Sequence, residues 1–210
     1  MARGSFITIE GGEGTGKSTH AALLGEALER AGIDAVVTRE PGGAPGAEEI
    51  RALLVEGDVS RWDPMSEALL HYAARKEHLE MTVIPALITG RWVISDRFAD
   101  STMAYQGYGH ELGRGTIARL HELAIGDFSP DLTVILDLAV ETGLERAVAG
   151  HEDRYERMGI EFHRRLREGF LEIARLEPGR CALLDAGQSI EDTQAAIRRL
   201  VGDRLGVDLE

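Results

Sequence analysis

The 210-residue sequence contains no asparagine, and only two of its basic residues are lysines, Lys17 and Lys76. A chain without asparagine cannot supply the N-K-x-D segment with which a GTPase reads guanine. One cysteine, Cys181, rules out a disulfide within the chain, and we expect it to be buried in a strand. No apolar run approaches the ~18 residues of a membrane-spanning helix, and the N-terminus lacks a secretory pattern. We therefore expect neither export nor a membrane partner.

Positive charge is also scarce, because the formal net charge is −13 and the isoelectric point is about 5.0. Such a chain lacks the basic face that a general nucleic-acid partner requires. The balance favours a soluble cytoplasmic protein that gathers positive charge locally around an anionic ligand. None of the seven histidines has zinc-ligand spacing, which argues against a structural zinc site. The length suits one domain, residues 1–210, with a sizeable core.

The most informative feature that is present is a glycine-rich loop between an apolar strand and a helical pattern. It reads Gly11-Gly12-Glu13-Gly14-Thr15-Gly16-Lys17-Ser18, followed by Thr19, and it matches G-x-x-x-x-G-K-[ST]. In such a loop, backbone N–H groups and the helix N-terminus point at nucleotide phosphates. Lys17 is expected to reach the β- and γ-phosphates, and the Ser18 hydroxyl is expected to bind Mg²⁺. The loop predicts a nucleotide-phosphate site.

Apolar strands alternate with helical patterns along the whole chain. Strands are predicted at residues 6–9, 35–38, 92–95, 132–136 and 181–184, and helices at 17–31, 47–54, 66–87, 115–125, 140–148, 160–176 and 190–205. This alternation predicts an α/β fold with a five-stranded parallel sheet flanked by helices on both faces. Function is then expected at the carboxyl ends of the strands, where Glu10, Arg39, Asp96, Asp137 and Asp185 stand.

Two of these strand ends offer a carboxylate for a magnesium-linked role. Asp96 is followed directly by Arg97, so one strand end supplies a carboxylate for metal or water and a guanidinium for phosphate. Asp137 precedes a predicted helix, where an aspartate commonly caps the helix N-terminus. The pattern favours Asp96 for the metal.

The class of phosphate-loop protein follows by elimination. A dinucleotide oxidoreductase requires G-x-G-x-x-G after the first strand, and glycines 11, 12, 14 and 16 do not form it. A mechanical ATPase usually has a longer chain with interaction surfaces. The length and the many arginines after the loop favour a small kinase that holds a second anionic substrate.

Five segments in order along the chain resemble the thymidylate kinases. Residues 94–106, ISDRFADSTMAYQ, look like the signature of that family. The resemblance continues in TREPGG at 38–43, YAAR at 72–75, GDFSPDL at 126–132 and DRYE at 153–156. The similarity extends from about residue 6 to residue 185, nearly the whole chain.

The resemblance implies a P-loop nucleoside monophosphate kinase-like fold and a homodimeric dTMP kinase. Such an enzyme transfers the γ-phosphoryl group of MgATP to dTMP, giving dTDP and ADP, in dTTP biosynthesis. By similarity, Glu13 contacts the acceptor's sugar hydroxyl, and Tyr105 packs against the deoxyribose. Further positions match as follows: Arg39 and Arg51 near the acceptor phosphate, Arg75, Ser101, Thr102 and Gln106 around the thymine, Arg146 near the adenine, and Lys17 and Arg97 beside the transferring group.

The chain departs from the family pattern in two places. Members commonly stack a phenylalanine on thymine where this chain has His71, and we expect the imidazole to substitute as a flat ring. Members also carry a transition-state arginine in the phosphate loop or in a mobile lid. Here the loop position is Gly14, and residues 147–152 contain no arginine, so Arg154 is predicted to take over within a lid at 147–157. That lid is expected to close over ATP.

Alternatives remain at this level. A kinase for another nucleoside monophosphate or small acceptor would share the loop and the fold. A non-catalytic nucleotide-binding regulator would be consistent with the missing arginine. Arg51 and Arg75 lie on predicted helices, where an arginine commonly forms a surface ion pair.

Overall fold

The computed structural model describes residues 3–147 and 154–209 and confirms the predicted parallel sheet. Its strands are β1 (Phe6–Gly11), β2 (Ala35–Arg39), β3 (Trp92–Asp96), β4 (Leu132–Asp137) and β5 (Cys181–Asp185), in the spatial order β2-β3-β1-β4-β5. Each strand extends past its predicted end, because the polar residues there still pair, as Arg39 does with Asp96. The five carboxyl ends therefore meet along one edge.

The helices are α1 (Lys17–Arg30), α2 (Pro45–Val55), α3 (Pro64–His78), α4 (Ile84–Ile88), α5 (Ala99–Thr102), α6 (Arg114–Ile125), α7 (Val140–Ala147), α8 (Ile160–Leu176) and α9 (Ile190–Leu205). A π-helical segment, Leu79–Val83, joins α3 to α4, so the predicted helix 66–87 exists with a bulge. Residue 148 of the predicted helix 140–148 lies outside the described residues. Within the described part of the chain, no helix has the length and apolar character needed to cross a membrane.

One helical region was missed by the sequence analysis. Helix α5 continues into a second π-helical segment, Met103–Gly109, although residues 99–109 show no helical apolar period. The four residues of α5 are too few to form a stable helix alone. Contacts with β1, β4 and α8 hold this region in place instead.

Side chains of β1 alternate between the two faces of the sheet. Ile7 and Ile9 belong to a core with α1 and α9, whereas Phe6 packs in a second core with the α3–α4 region. On that second face the Thr8 hydroxyl lies 2.8 Å from the Thr133 hydroxyl, and Glu10 accepts a 2.7 Å hydrogen bond from the Phe98 N–H. The strand therefore passes from apolar packing to polar anchoring as it approaches the phosphate loop.

Candidate active site

The phosphate loop connects β1 to α1 and forms the cradle that the sequence predicts. Gly14 and Gly16 have φ values of +66° and +83°, a left-handed conformation that favours glycine. The Lys17 ammonium folds over the loop, 2.5 Å from the Gly12 carbonyl oxygen and 3.3 Å from the Thr15 hydroxyl. Burial, together with the charge of Arg97, lowers the pKa of Lys17 to about 8.

The loop packs directly on α7 through a pair of glycines. A Cβ atom on Gly14 would lie 2.0 Å from the Gly143 carbonyl oxygen, and one on Gly143 would lie 2.5 Å from the Glu13 carbonyl oxygen. Backbone therefore meets backbone, without room for a side chain. An arginine in place of Gly14 would displace α7, which gives a physical reason for the glycine.

The Mg²⁺ ligands predicted from sequence lie side by side. The Ser18 hydroxyl donates a short hydrogen bond to Asp96 Oδ2. Asp96 Oδ1 is buried and accepts no hydrogen bond from residues 3–147 or 154–209. Asp137, in contrast, receives two hydrogen bonds of 2.7 and 2.8 Å from Arg167. Hydroxyl and carboxylate oxygens suit Mg²⁺, so this geometry favours Asp96 over Asp137.

A second cleft opens beside the phosphate loop. It is lined by Glu13, Glu40, Pro41, Arg51, Val55, His71, Arg75, Arg97, Phe98, Ser101, Tyr105, Gln106 and Tyr155. The depression over the loop shares Glu13, Glu40, Arg51 and Arg97 with this cleft and is also lined by Arg39 and Lys17. Two anionic ligands could therefore meet end to end at the shared residues.

At the junction between the two depressions, the shared residues Glu13 and Arg97 contact Tyr105 of the cleft. Arg97 donates a 3.1 Å hydrogen bond to Glu13 Oε2, and its guanidinium lies 4.9 Å from the centre of the Tyr105 ring. The Tyr105 hydroxyl donates a short hydrogen bond to Glu13 Oε1. Burial would raise the pKa of Glu13, but Arg97 and Lys17 outweigh burial and lower it. Glu13 therefore remains a carboxylate that orients Arg97.

Arg75 lies at the far end of the cleft and is only 1% exposed. Its Nε donates to Glu40 Oε2 over 2.8 Å, and its Nη2 donates to the Phe98 carbonyl and the Thr102 hydroxyl, each over 2.9 Å. Its Nη1 has no hydrogen-bond partner in the described part of the chain. The Thr102 hydroxyl therefore helps to hold Arg75 in place. Glu40, for which the sequence predicted no such role, fixes the orientation of the guanidinium.

Two arginines expected near the acceptor phosphate lie on the side of β2 and α2. Arg39 Nη2 donates to both carboxylate oxygens of Glu48, over 3.1 and 3.2 Å. Arg51 Nη1 donates to the Pro41 carbonyl oxygen over 2.7 Å. Both arginines line the loop depression, and their contact with the acceptor phosphate stays a prediction.

Comparisons with known proteins agree with this geometry. The thymidylate kinase family model matches residues 9–197, most of the chain. The chain belongs to the thymidylate kinase family. It is 52% identical to a thymidylate kinase of Caulobacter vibrioides, over 99% of this chain and 100% of that one. It is 50% identical to a thymidylate kinase of Ruegeria pomeroyi over 94% of each chain. A crystal structure of thymidylate kinase from Ehrlichia chaffeensis is similar too, with a TM-score of 0.75, 35% identity and 95% and 98% of the two chains covered.

His71, the first departure from the thymidylate kinase pattern, lines the cleft as a neutral ring. Burial lowers its pKa to about 4, so the imidazole carries no charge at neutral pH. Its Nε2 shares a 2.8 Å hydrogen bond with the Tyr155 hydroxyl. The imidazole therefore meets the requirement for a flat uncharged ring beside a base.

Arg154, the expected substitute for the thymidylate kinase transition-state arginine, is fully buried. Its Nε donates to the Leu54 carbonyl oxygen over 3.0 Å, its Nη1 to the Val59 carbonyl oxygen over 3.1 Å, and its Nη2 makes a short hydrogen bond to Glu67. A guanidinium held in this way is not directed at the phosphate loop. The geometry therefore contradicts the role predicted for Arg154 and makes it a structural residue.

The remaining expectations of the thymidylate kinase pattern concern the lid and the adenine side. Residues 148–153, most of the expected lid, lie outside the described residues. Arg146, expected near adenine, lies on α7 and donates to the Ala186 carbonyl oxygen over 3.1 Å. Glu67, which sequence analysis did not single out, binds both Arg154 and Gln106. A glutamate in the first turn of a helix resembles an ordinary dipole-complementing charge, so no sequence signal distinguished it.

Proposed function

We propose that the chain transfers the γ-phosphoryl group of MgATP to dTMP, giving dTDP and ADP, for dTTP biosynthesis. The observation that carries this proposal is the meeting of the phosphate loop and the acceptor cleft at Glu13, Arg51 and Arg97. The attacking oxygen belongs to a phosphate that is already ionised near neutral pH, so no strong general base is needed. Catalysis then consists of alignment and of neutralising the charge on the transferring group.

The donor end is built from the loop and the edge of β3. Backbone N–H groups of the loop and the Lys17 ammonium hold the phosphates of ATP. Ser18 and Asp96 would hold Mg²⁺, which neutralises phosphate charge when it is bound. Thr19 and Arg146 complete the donor side as sequence predicts.

The junction residues act on the transferring group and on the acceptor's sugar and phosphate. Arg97 neutralises charge as the phosphoryl group moves, because Glu13 and the Tyr105 ring hold its guanidinium beside the loop. Arg39 and Arg51 bind the acceptor phosphate. The Glu13 carboxylate also accepts a hydrogen bond from the sugar hydroxyl of the acceptor. The Tyr105 ring packs on the deoxyribose.

The base end of the cleft presents one donor and one acceptor. Arg75 Nη1 is a donor, and Gln106 Oε1 is an acceptor; neither has a hydrogen-bond partner among the described residues. Thymine offers the complementary pair, an O4 acceptor beside an N3–H donor. The neutral His71 ring stacks on the base, and Ser101 completes the wall.

Two further features belong to the proposal. The chain forms a homodimer, which the exposed leucines of α3 and α6 support, with Leu69 51% and Leu123 86% exposed. The enzyme works in the cytoplasm, in keeping with its acidic composition and its nucleotide substrates.

The test is ADP release by the purified chain with MgATP and a panel of nucleoside monophosphates. We expect release to be fastest with dTMP and slower with dUMP. Preference for another monophosphate would retain the mechanism and replace the substrate. Tight ATP binding without acceptor-dependent release would support a non-catalytic regulator and overturn the proposal.

A further inference from the structure

Gln106 stands between the acceptor cleft and a buried carboxylate. Its side chain is fully buried on the π-helical segment Met103–Gly109 and lines the cleft. Its Nε2 donates a 2.7 Å hydrogen bond to Glu67 Oε1. Its Oε1, on the other branch of the amide, has no hydrogen-bond partner in the parts of the chain that are described.

Glu67 permits only one orientation of the Gln106 side-chain amide. Burial would raise the pKa of Glu67, but the nearby His110 imidazole and the bonded Arg154 guanidinium outweigh burial and lower it to about 2. An ionised carboxylate accepts hydrogen bonds and donates none. If the Gln106 amide turned over, its Oε1 would face Glu67 Oε1, acceptor against acceptor, in a buried site. The –NH2 group must therefore face Glu67.

The carboxylate itself is held from two sides. Arg154, which is bonded to two backbone carbonyl oxygens, donates to Glu67 Oε2. His110 Nε2 lies 3.3 Å from Glu67 Oε1. Because Arg154 is tied to the backbone between α2 and α3, the carboxylate cannot rotate away from Gln106 without breaking a buried ion pair.

We propose that Glu67 is a positioning residue for base selectivity: it locks the Gln106 amide with Oε1 available to the base, so the cleft accepts a 4-oxo pyrimidine and rejects a 4-amino pyrimidine. This inference rests on the proposed function. Thymine and uracil present N3–H to Gln106 Oε1 and O4 to Arg75 Nη1. Cytosine presents an unprotonated N3 and a 4-amino group, which reverses both partners.

The test compares kcat/KM for dTMP, dCMP and dUMP in the wild-type chain and in Glu67→Gln. The new amide can donate or accept, so the Gln106 amide is free to turn over. We expect the ratio of dTMP to dCMP to fall by at least about tenfold, the value of one reversed hydrogen bond. The ratio of dTMP to dUMP stays unchanged, because those bases share the 3,4 edge and differ only in the 5-methyl group.

A purely structural role for Glu67 would lower kcat/KM for all three acceptors together and leave both ratios intact. That outcome would overturn the proposal. Glu80→Gln, a matched change at an exposed glutamate paired with Lys76, is expected to leave both ratios at wild-type values.

Two further variants keep the test decisive if Glu67→Gln does not fold. Glu67→Asp retains the charge beside Arg154 but shortens its reach, and we expect a fall in the dTMP to dCMP ratio of about threefold or more. In a Gln106→Leu background, Glu67→Asp should change the ratio no further, since no amide remains to be oriented. A wild-type chain inactive on dTMP would contradict the proposed function, whereas an active, selective chain with unchanged ratios in the variants would contradict this inference alone.

Discussion

At the residue scale, the surroundings of Lys17 lower the pKa of its ammonium group. Lys17 is 7% exposed and lies near Arg97, and burial with that neighbouring charge lowers the pKa of its ammonium to about 8. Glu13 and Asp96 partly offset the effect. The triphosphate of ATP favours the charged form, so nucleotide binding and protonation of Lys17 are linked.

We expect ATP affinity to fall as pH rises above 8. Below that pH Lys17 is already charged in the free protein, whereas above it binding must take up a proton, which weakens affinity by up to about tenfold per pH unit. Calorimetry with MgATP between pH 7.5 and 9.5, in buffers of different ionisation enthalpy, measures both affinity and proton uptake. Lys17→Arg is the control, because its guanidinium remains charged and should remove the slope. Equal affinities at both ends of the range in the wild-type chain would contradict this linkage.

At the scale of elements, the short helix α5 depends on anchors from distant parts of the chain. Arg180, just before β5, donates two 2.7 Å hydrogen bonds to the Asp100 carboxylate. On the other side Glu10, at the end of β1, accepts hydrogen bonds from the Phe98 N–H and the Ser101 hydroxyl. These anchors fix the helix that presents Ser101 to the acceptor cleft.

Removing the Arg180 anchor should affect stability and acceptor binding together. In Arg180→Gln the buried Asp100 loses its counter-ion, and we expect the free energy of unfolding to fall by about 3 kcal/mol. Because α5 carries acceptor residues, KM for dTMP should rise more than KM for ATP. Urea denaturation and steady-state kinetics measure these effects, with Arg175→Gln, an exposed position, as the control. Equal increases in both KM values would indicate that α5 does not depend on this ion pair.

The same elements show how far sequence reasoning reaches. The five strands and the phosphate loop could be predicted because their signals, apolar runs and glycine spacing, are local. Residues 99–109 carry no such period, and their helical form depends on anchoring by Glu10 and Arg180. Arg154 was given the wrong role because its partner Glu67 lies 87 positions away and meets it only in the folded chain. Which residues pair in this way is determined by tertiary contacts between distant parts of the chain, and local sequence patterns do not reveal it.

At the scale of the whole molecule, the α3 and α6 face is the natural candidate for self-association. A groove on it is lined by Met65, Leu120 and Leu123 together with Thr116, Arg119 and Glu122, and Leu123 is 86% exposed. The chain carries a net charge of −13, so two copies need apolar contact to overcome mutual repulsion.

We expect the wild-type chain to have twice its chain mass of 22.9 kDa in solution. Leu123→Glu replaces the most exposed leucine of this face by a charge and should yield monomers, as measured by sedimentation equilibrium. Ile190→Glu, an exposed change at the start of α9 on the opposite face of the sheet, should leave the dimer intact. A wild-type monomer, or a Leu123→Glu dimer of unchanged affinity, would contradict this interface.

Cys181 makes the chain convenient for optical labelling. Cys181 is 4% exposed in β5, and burial raises the pKa of its thiol to about 12. A protonated and enclosed thiol reacts poorly with maleimides at neutral pH. A single cysteine introduced on the exposed surface of α7, such as Glu145→Cys, would therefore take up dye selectively. Because α7 rests on the phosphate loop through Gly143 and Gly14, a fluorophore there would report nucleotide arrival in real time, with the native thiol left in place.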